Sequence, residues 1–157
     1  MSPEQFIQEI AVAAQRCMTT TRIPASLIIA QAALESAWGE SRLTVLANNL
    51  FGIKADASWE GLSFRIATTE YVRGEPVLES DLFRLYPDWQ ASIADHAAFL
   101  QGARYAEAFN TANGIAFGYA IAAAGYATDP QYGQKLETLI NTHQLLDYDQ
   151  PTASPLI

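Results

Sequence analysis

One segment of the sequence is apolar on nearly every side of a helix, and it constrains the fold more than any other feature. Residues 24–38 (PASLIIAQAALESAW) begin with Pro24, which suits the first turn of a helix, and are followed by Gly39, which favours a helix end. A helix that is apolar all round belongs at the centre of a domain. The pattern therefore predicts a helical domain built around this segment. Gln31 and Glu35 share one face of it because they lie four residues apart.

Glu35 is the one acidic residue in this apolar segment. Burying a charged carboxylate is costly, and the negative end of the helix dipole disfavours a further negative charge near the carboxyl terminus. Both effects favour the protonated carboxyl group, which is the form that a general acid needs near neutral pH. The alternative is a structural glutamate that caps a turn or pairs with Arg42 or Lys54. The helix pattern alone does not separate these two interpretations.

A β-hairpin is predicted after this helix. Residues 63–71 and 77–86 are rich in β-branched and aromatic residues, and Arg73-Gly74-Glu75-Pro76 separates them. Residues 41–61 are expected to be irregular, and Asp88 is expected to cap a further helix that runs to Leu100. The predicted fold class is mainly α (α+β), a helical body with a small β-hairpin lobe inserted between helices two and three.

The length and composition indicate a single domain. Half of the 157 residues are apolar and only 17% are charged, which excludes wholesale disorder. A chain of this length forms one compact domain with a sizeable core. We expect this domain to span residues 1–149. Residues 150–157 contain two prolines and are expected to form a flexible tail.

Charge and residue counts exclude several classes of ligand. Nine Lys and Arg against 17 Asp and Glu give a net charge of -8, which argues against nucleic acid because phosphate contacts need a basic surface. The single cysteine, Cys17, excludes internal disulfides, and the two histidines are too far apart in sequence for a metal motif, so no metal is expected. No apolar run reaches the roughly 18–20 residues of a membrane-spanning helix, so membrane insertion is not expected. The first residues have the pattern of an amphipathic helix rather than of a secretion signal. A monomer is the expected oligomeric state.

A second carboxylate and several aromatic residues could complete a sugar-cleaving site around Glu35. Glycoside hydrolysis uses one group to protonate the leaving oxygen and another to activate water or attack the sugar. The candidates for the second group are Glu70, Glu75, Glu79 and Asp81 in the hairpin, with Asp56 and Glu60 before it. Sugar rings stack on aromatic side chains, and the aromatic residues in predicted loops and element ends are Phe51, Trp59, Tyr71, Tyr86, Tyr126 and Tyr132.

Five blocks of the sequence form a further pattern. They are ALESAWGES at 33–41, NNLFGIK at 48–54, TTEY at 68–71, FRLY at 83–86, and GYATDP at 125–130, the last followed by Tyr132 and Lys135-Leu136. These blocks resemble the glucosaminidase family of peptidoglycan hydrolases, glycoside hydrolase family 73, and occur in that family's order. They cover most of the chain, and the departure from the usual pattern, Ser36-Ala37 where Thr-Gly is common, involves only small residues.

The resemblance implies a lysozyme-like fold and a role for each matching residue. Glu35 would be the catalytic acid, Glu70 the second carboxylate on the hairpin lobe, and Tyr126 the tyrosine beside the catalytic glutamate. Asn49, Phe51, Tyr71 and Tyr132 would bind substrate. Glu70 could act as the base of an inverting reaction or as a nucleophile, or the substrate's own N-acetyl group could take its place, and the separation of the two carboxylates decides between these routes.

The function that follows from the resemblance is cleavage of β-1,4 bonds in the glycan strands of peptidoglycan by an endo-β-N-acetylglucosaminidase without metal or organic cofactor. Such an enzyme would act on the cell wall, in the periplasm or outside the cell. The alternatives are an N-acetylmuramidase on the same scaffold, a non-catalytic wall-binding domain, and a structural domain in which Glu35 forms a buried ion pair.

Overall fold

A computed structural model describes residues 1–151, but not the side chains of residues 68–71. The described chain forms α1 (Pro3–Thr21), α2 (Ala25–Ser36), α3 (Arg42–Ala47), β1 (Ser63–Val72), β2 (Glu75–Arg84), α4 (Trp89–Leu100), a 3₁₀ helix (Ala103–Asn110), α5 (Gly114–Ala123), α6 (Tyr132–Thr142) and a second 3₁₀ helix (Leu145–Asp149). None of the helices within residues 1–151 combines the length and the apolar character that crossing a bilayer requires. The predicted tail, residues 150–157, lies outside the described residues from position 152 onward.

Helix α2 lies at the centre of the fold, as its apolar sequence predicts. Ten of its twelve residues are buried, and Leu27, Ile28 and Ile29 have no exposed surface. It contacts α1, α5, α6 and the second 3₁₀ helix, so its side chains are removed from water on every side. Burial of one such side chain contributes about 1.5–3 kcal/mol to stability. These contacts therefore hold the whole helix, including Glu35 near its end, firmly in place.

A left-handed turn ends α2 directly after Ser36, the residue that follows Glu35. The helix stops at Ser36, three residues before the Gly39 at which the sequence predicts its end, and Ala37, Trp38 and Gly39 have φ angles of 51°, 59° and 82°. The Ser36 hydroxyl accepts a hydrogen bond from the Gly39 amide at 2.8 Å. This reversal leaves Glu35 as the second-last residue of the helix.

The predicted hairpin is present, and a short helix precedes it. Strands β1 and β2 are antiparallel and are joined by Arg73 and Gly74, whose φ angles of 54° and 79° form the primed turn that suits a two-residue connection. The segment expected to be irregular contains α3, which is capped by the Ser41 hydroxyl. The hairpin therefore lies between the third and fourth helices, and Asp88 caps α4 as predicted.

Buried polar side chains are few, and one of them is a histidine in α4. His96 has no exposed surface, and burial lowers its pKa from the usual value near 6.5 to about 3. It stacks on Phe51, with ring centroids 3.8 Å apart and planes 10° from parallel. The imidazole is therefore neutral in the folded protein at any pH well above 3.

The left-handed conformation of Ala37 predicts that Ala37→Gly stabilises the protein. An L-residue with positive φ carries strain that glycine lacks, and the gain exceeds the loss from the greater freedom of glycine in the unfolded chain, so we expect about 0.5–1 kcal/mol. Urea unfolding measures the difference. The matched control is Ala94→Gly at an exposed position inside α4, where the same change should destabilise by about 0.5–1 kcal/mol. A destabilising Ala37→Gly would contradict the described backbone.

The buried neutral His96 predicts that stability falls on acidification. Below about pH 6.5 the unfolded chain protonates this histidine while the folded protein does not, so the free energy of unfolding decreases as the pH is lowered towards 3, by up to about 1.4 kcal/mol per unit for this group. Urea unfolding between pH 7 and 4 should therefore show a shallower fall for His96→Phe than for the parent. His143→Phe makes the same substitution at the other, half-buried histidine. An equally steep fall for His96→Phe and the parent would refute the prediction.

Candidate active site

A cleft of about 440 Å³ opens at the carboxyl end of α2. It is bounded by the end of α2, the loop after α3, the base of β2, the end of α4 and the loop before α6. Its lining residues are Glu35, Phe51, Gly52, Ile53, Lys54, Asp56, Arg84, Phe99, Tyr126, Ala127 and Thr128. The cleft therefore combines a carboxyl group at the end of a buried helix with three aromatic side chains and with charged groups near the hairpin.

Glu35 lies in this cleft without a cationic partner. None of the ion pairs in the described part of the chain includes it, and Lys54, one of the two bases considered from the sequence, pairs with Asp81 at 3.4 Å. Its Oε1 atom accepts a hydrogen bond from the Tyr132 hydroxyl at 2.9 Å. Glu35 is exposed to the cleft, but the protein around its carboxyl group displaces part of the surrounding water, which raises its pKa; the bond from Tyr132 lowers the pKa by a smaller amount. The balance favours a carboxyl group that retains its proton to higher pH than an ordinary glutamate.

Tyr132 lies behind Glu35 rather than on the surface of the cleft. Only 3% of it is exposed, and its hydroxyl accepts a hydrogen bond from the Gln31 side-chain amide at 2.9 Å while it donates to Glu35. The Gln31 carbonyl oxygen in turn lies 2.8 Å from Nε2 of His96. Tyr132 therefore contacts the carboxyl group of Glu35, whereas the family resemblance implied that it contacts the substrate.

Tyr126 lines the cleft and packs against Tyr132. The two rings are stacked, with centroids 5.6 Å apart and planes at 21°. Burial raises the pKa of Tyr126, so its hydroxyl remains protonated. The hydroxyl that donates to Glu35 belongs to Tyr132, and Tyr126 presents an aromatic surface to the cleft beside that carboxyl group.

Phe51 and Asn49 come from the same loop but lie in different surroundings. Phe51 forms part of the cleft floor, on top of the His96 ring. Asn49 is 1% exposed; its amide nitrogen donates to the carbonyl oxygens of Ile53 and Arg84, each at 2.9 Å, and its Oδ1 accepts from the Ile53 amide at 3.1 Å. These bonds occupy the side chain, so Asn49 holds the loop in place beneath the cleft and does not face a ligand.

The predicted second carboxylate, Glu70, belongs to strand β1 of the hairpin. Glu70 pairs with Val77 in the hairpin register, three pairs from the turn, and the side chains of Glu70 and Tyr71 lie outside what the structure describes. Of the other carboxylates considered from the sequence, Asp56 lines the cleft. Hydrogen bonds from Ser58 keep the pKa of Asp56 below its usual value, so it is ionised at neutral pH.

The base of the hairpin is fixed to the helical body beside the cleft. Arg84, which is 9% exposed, pairs with Asp95 of α4 at 2.9 Å, and the Tyr86 hydroxyl donates to the same carboxylate at 2.5 Å. The Arg84 guanidinium also lies over the Trp59 ring, 4.8 Å from its centroid. Backbone hydrogen bonds from Ala55 to Leu82 and from Arg84 to Ile53 join the same end of β2 to the loop after α3. Since most of β2 is exposed, the contacts at this end fix where the hairpin leaves the body.

The described residues contain no group of three or more His, Cys, Asp or Glu side chains that could hold a metal ion. Sequence reasoning noted that Gln31 and Glu35 share a helix face but assigned no role to Gln31 or His96. A glutamine one turn before the candidate acid, on an otherwise apolar helix, is the signal that could have pointed to a buried polar partner.

Comparison with known proteins agrees with the site geometry. The glucosaminidase family, described as mannosyl-glycoprotein endo-beta-N-acetylglucosaminidase, matches residues 11–145. The peptidoglycan hydrolase FlgJ of Pseudomonas aeruginosa is 39% identical over 149 residues, which are 91% of this chain and 37% of that protein. This chain thus spans less than half the length of that curated relative.

Solved structures share the architecture. A C-terminally truncated glycoside hydrolase domain of FlgJ from Salmonella typhimurium superposes with a TM-score of 0.78 at 35% identity and covers 91% of this chain and 98% of that domain. The catalytic domain of the autolysin Auto from Listeria monocytogenes gives a TM-score of 0.82 at 32% identity, with coverages of 94% and 87%. The resemblance in the sequence blocks and the predicted fold class are therefore confirmed, and the chain belongs to the glucosaminidase family.

Proposed function

We propose that this chain is the catalytic domain of a peptidoglycan hydrolase that acts as an endo-β-N-acetylglucosaminidase, with Glu35 as its general acid. The observation that carries the proposal is a glutamate at the end of a buried helix, open to a cleft, with a raised pKa and no cationic partner among the described residues. Such a group holds a proton where an ordinary glutamate has lost it, and it can deliver that proton to a glycosidic oxygen.

The surroundings of Glu35 suit both stages of proton transfer. Before transfer, desolvation raises the pKa of Glu35 and so favours the protonated carboxyl group. After transfer, the new carboxylate still accepts the hydrogen bond from Tyr132 at Oε1, and such a bond strengthens when its acceptor becomes charged. Tyr132 therefore stabilises the product state of the acid without a cation that would have removed the proton beforehand.

The cleft has the size and surface that a glycan needs. Its volume of about 440 Å³ is in the range of ligand sites, and Phe51, Phe99 and Tyr126 supply aromatic surface for the apolar faces of sugar rings. The charged side chains Lys54, Asp56 and Arg84 lie in the same cleft and can meet hydroxyl and acetamido groups. Hydrolysis by two carboxyl groups requires no metal or organic cofactor.

Glu70 is the proposed base. In this assignment a water molecule attacks the anomeric carbon, its proton goes to Glu70, and the proton of Glu35 goes to the departing oxygen. The family resemblance supports Glu70 as the base. Glu70 belongs to β1, and so to the hairpin that leaves the helical body beside the cleft. Asp56 is the second candidate because it is ionised and lines the cleft.

The proposed substrate places the protein at the cell wall, in the periplasm or outside the cell. Peptidoglycan is the substrate class that the name of the FlgJ relatives, peptidoglycan hydrolase, indicates for those proteins. With a net charge of -8 the chain has no general electrostatic attraction to an anionic wall, so affinity for glycan should come from contacts within the cleft.

Glu35→Gln tests the acid directly. The amide keeps the shape of the side chain but has no proton to deliver, so release of reducing ends from purified peptidoglycan should fall by at least about 100-fold. Glu9→Gln, at an exposed position on α1, is the matched control and should retain the parent rate. Circular dichroism and urea unfolding verify that both variants are folded. Parental activity in Glu35→Gln would refute the assignment.

The same assay distinguishes the base and the bond that is cut. Glu70→Gln should lose most activity while Asp56→Asn keeps it, and the opposite result would transfer the role of base to Asp56.

Mass spectrometry of the products should show N-acetylglucosamine at the new reducing end. N-acetylmuramic acid there would identify a muramidase, and binding to insoluble peptidoglycan without any release would identify a non-catalytic domain.

A further inference from the structure

A chain of three hydrogen bonds connects Glu35 to the buried histidine of α4. His96 Nε2 lies 2.8 Å from Oε1 of Gln31, Nε2 of Gln31 donates to the Tyr132 hydroxyl at 2.9 Å, and that hydroxyl donates to Oε1 of Glu35 at 2.9 Å. His96 and Gln31 have no exposed surface, and Tyr132 is 3% exposed. Solvent therefore does not compete for the hydrogen bonds of these three side chains. The positions of their polar protons are decided by the hydrogen-bonding partners within this hydrogen-bond chain.

The position of the imidazole proton determines the direction of this hydrogen-bond chain, that is, which group donates and which accepts in each bond. His96 is neutral, so one ring nitrogen carries a proton and the other does not. Nδ1 is buried and has no hydrogen-bond partner among the described residues. A buried unpaired N–H is costlier and rarer than a buried unpaired lone pair, so the proton belongs on Nε2, where it is donated to Gln31.

The remaining protons follow from this first one. With its oxygen occupied by His96, the Gln31 amide can offer only its NH₂ group to Tyr132. The Tyr132 oxygen then accepts that bond, and its single proton is free to be donated to Glu35. The opposite tautomer would let the Gln31 amide rotate by half a turn, and Tyr132 would then donate to Gln31 instead of to Glu35.

We propose that His96 is a positioning residue that fixes the direction of the hydrogen-bond chain, so that Tyr132 donates to Oε1 of Glu35 and the acidic proton is held on Oε2. The inference rests on the proposed role of Glu35 as general acid, which it deepens. His96 and Gln31 are buried polar side chains that the packing of the core does not require, and the proposal gives both of them a role. The neighbouring rings, Phe51 on His96 and Tyr126 on Tyr132, restrict the movement of both ends.

Loss of this direction has a defined effect on the acid. A donor to the carboxylate favours the charged form, so a Tyr132 that no longer donates leaves Glu35 with a higher pKa. The other titratable or charged groups described around Glu35 are Tyr126 beside it and Lys54, Asp56 and Arg84 across the cleft. A substitution at His96 replaces none of these groups, and phenylalanine keeps an aromatic ring beside Tyr126, whose ring centroid lies 6.3 Å from that of His96. A shift in His96→Phe therefore reports the hydrogen-bond chain.

The test compares the pH dependence of kcat/KM on peptidoglycan fragments in four variants. The alkaline limb reports deprotonation of the acid. It should move to higher pH in His96→Phe and in Tyr132→Phe, and the double variant should show no further shift because both substitutions remove the same donation. His143→Phe removes the other histidine, which contacts Trp38 away from this chain, and should leave the limb in place. An unmoved limb in folded His96→Phe, or additive shifts in the double variant, would overturn the proposal.

Nitrogen-15 spectra of the imidazole groups test the proposal without substrate and without any variant that could fail to fold. In the parent protein the His96 signals should show a neutral ring with the proton on Nε2. A proton on Nδ1, or a charged ring at neutral pH, would overturn the proposed direction. If the parent releases no reducing ends, the proposed function fails, while the spectrum still decides the direction of the chain.

Discussion

Desolvation of one carboxyl group is the constraint on which the rest of the site depends. Glu35 is held at the end of the most deeply buried helix, with a tyrosine hydroxyl as its hydrogen-bond donor and no cation paired to it in the described part of the protein. A lysine or arginine at that position would stabilise the carboxylate and remove the proton that general acid catalysis uses. The fold avoids this by directing the nearby cations to other acids: Lys54 pairs with Asp81, and Arg84 with Asp95.

The site is divided between a rigid body and an attached arm. Helix α2 supplies Gln31 and Glu35, α4 supplies His96 and α6 supplies Tyr132. Hydrogen bonds join His96 to Gln31, Gln31 to Tyr132, and Tyr132 to Glu35. The hairpin is different, because a two-stranded sheet has little stability of its own and most of β2 is exposed. Its place beside the cleft depends on the contacts of Arg84 at its base. The acid is therefore supported by the core, whereas the proposed base is carried by an element that the core holds at one end only.

Features governed by neighbouring residues could be predicted from the sequence, and features governed by distant contacts could not. The central helix, the hairpin and the position of Glu35 follow from local periodicity and turn residues. The six-residue α3 is too short to show a period. Which of Tyr126 and Tyr132 reaches Glu35 depends on how α6 packs on α2, some 97 residues away in sequence. The burial of Asn49 likewise reflects contacts with the hairpin, whereas the family resemblance implied a ligand contact.

Carbon-13 NMR titration of the Glu35 carboxyl carbon measures the pKa of this group in the folded protein. The protein is labelled at glutamate side chains, and the Glu35 resonance is identified by its absence in Glu35→Gln. We expect a midpoint above the usual glutamate value of about 4.3. A midpoint at or below that value would show that the carboxyl group is ionised like a surface glutamate, and it would contradict the role of the buried helix end in keeping the acid protonated.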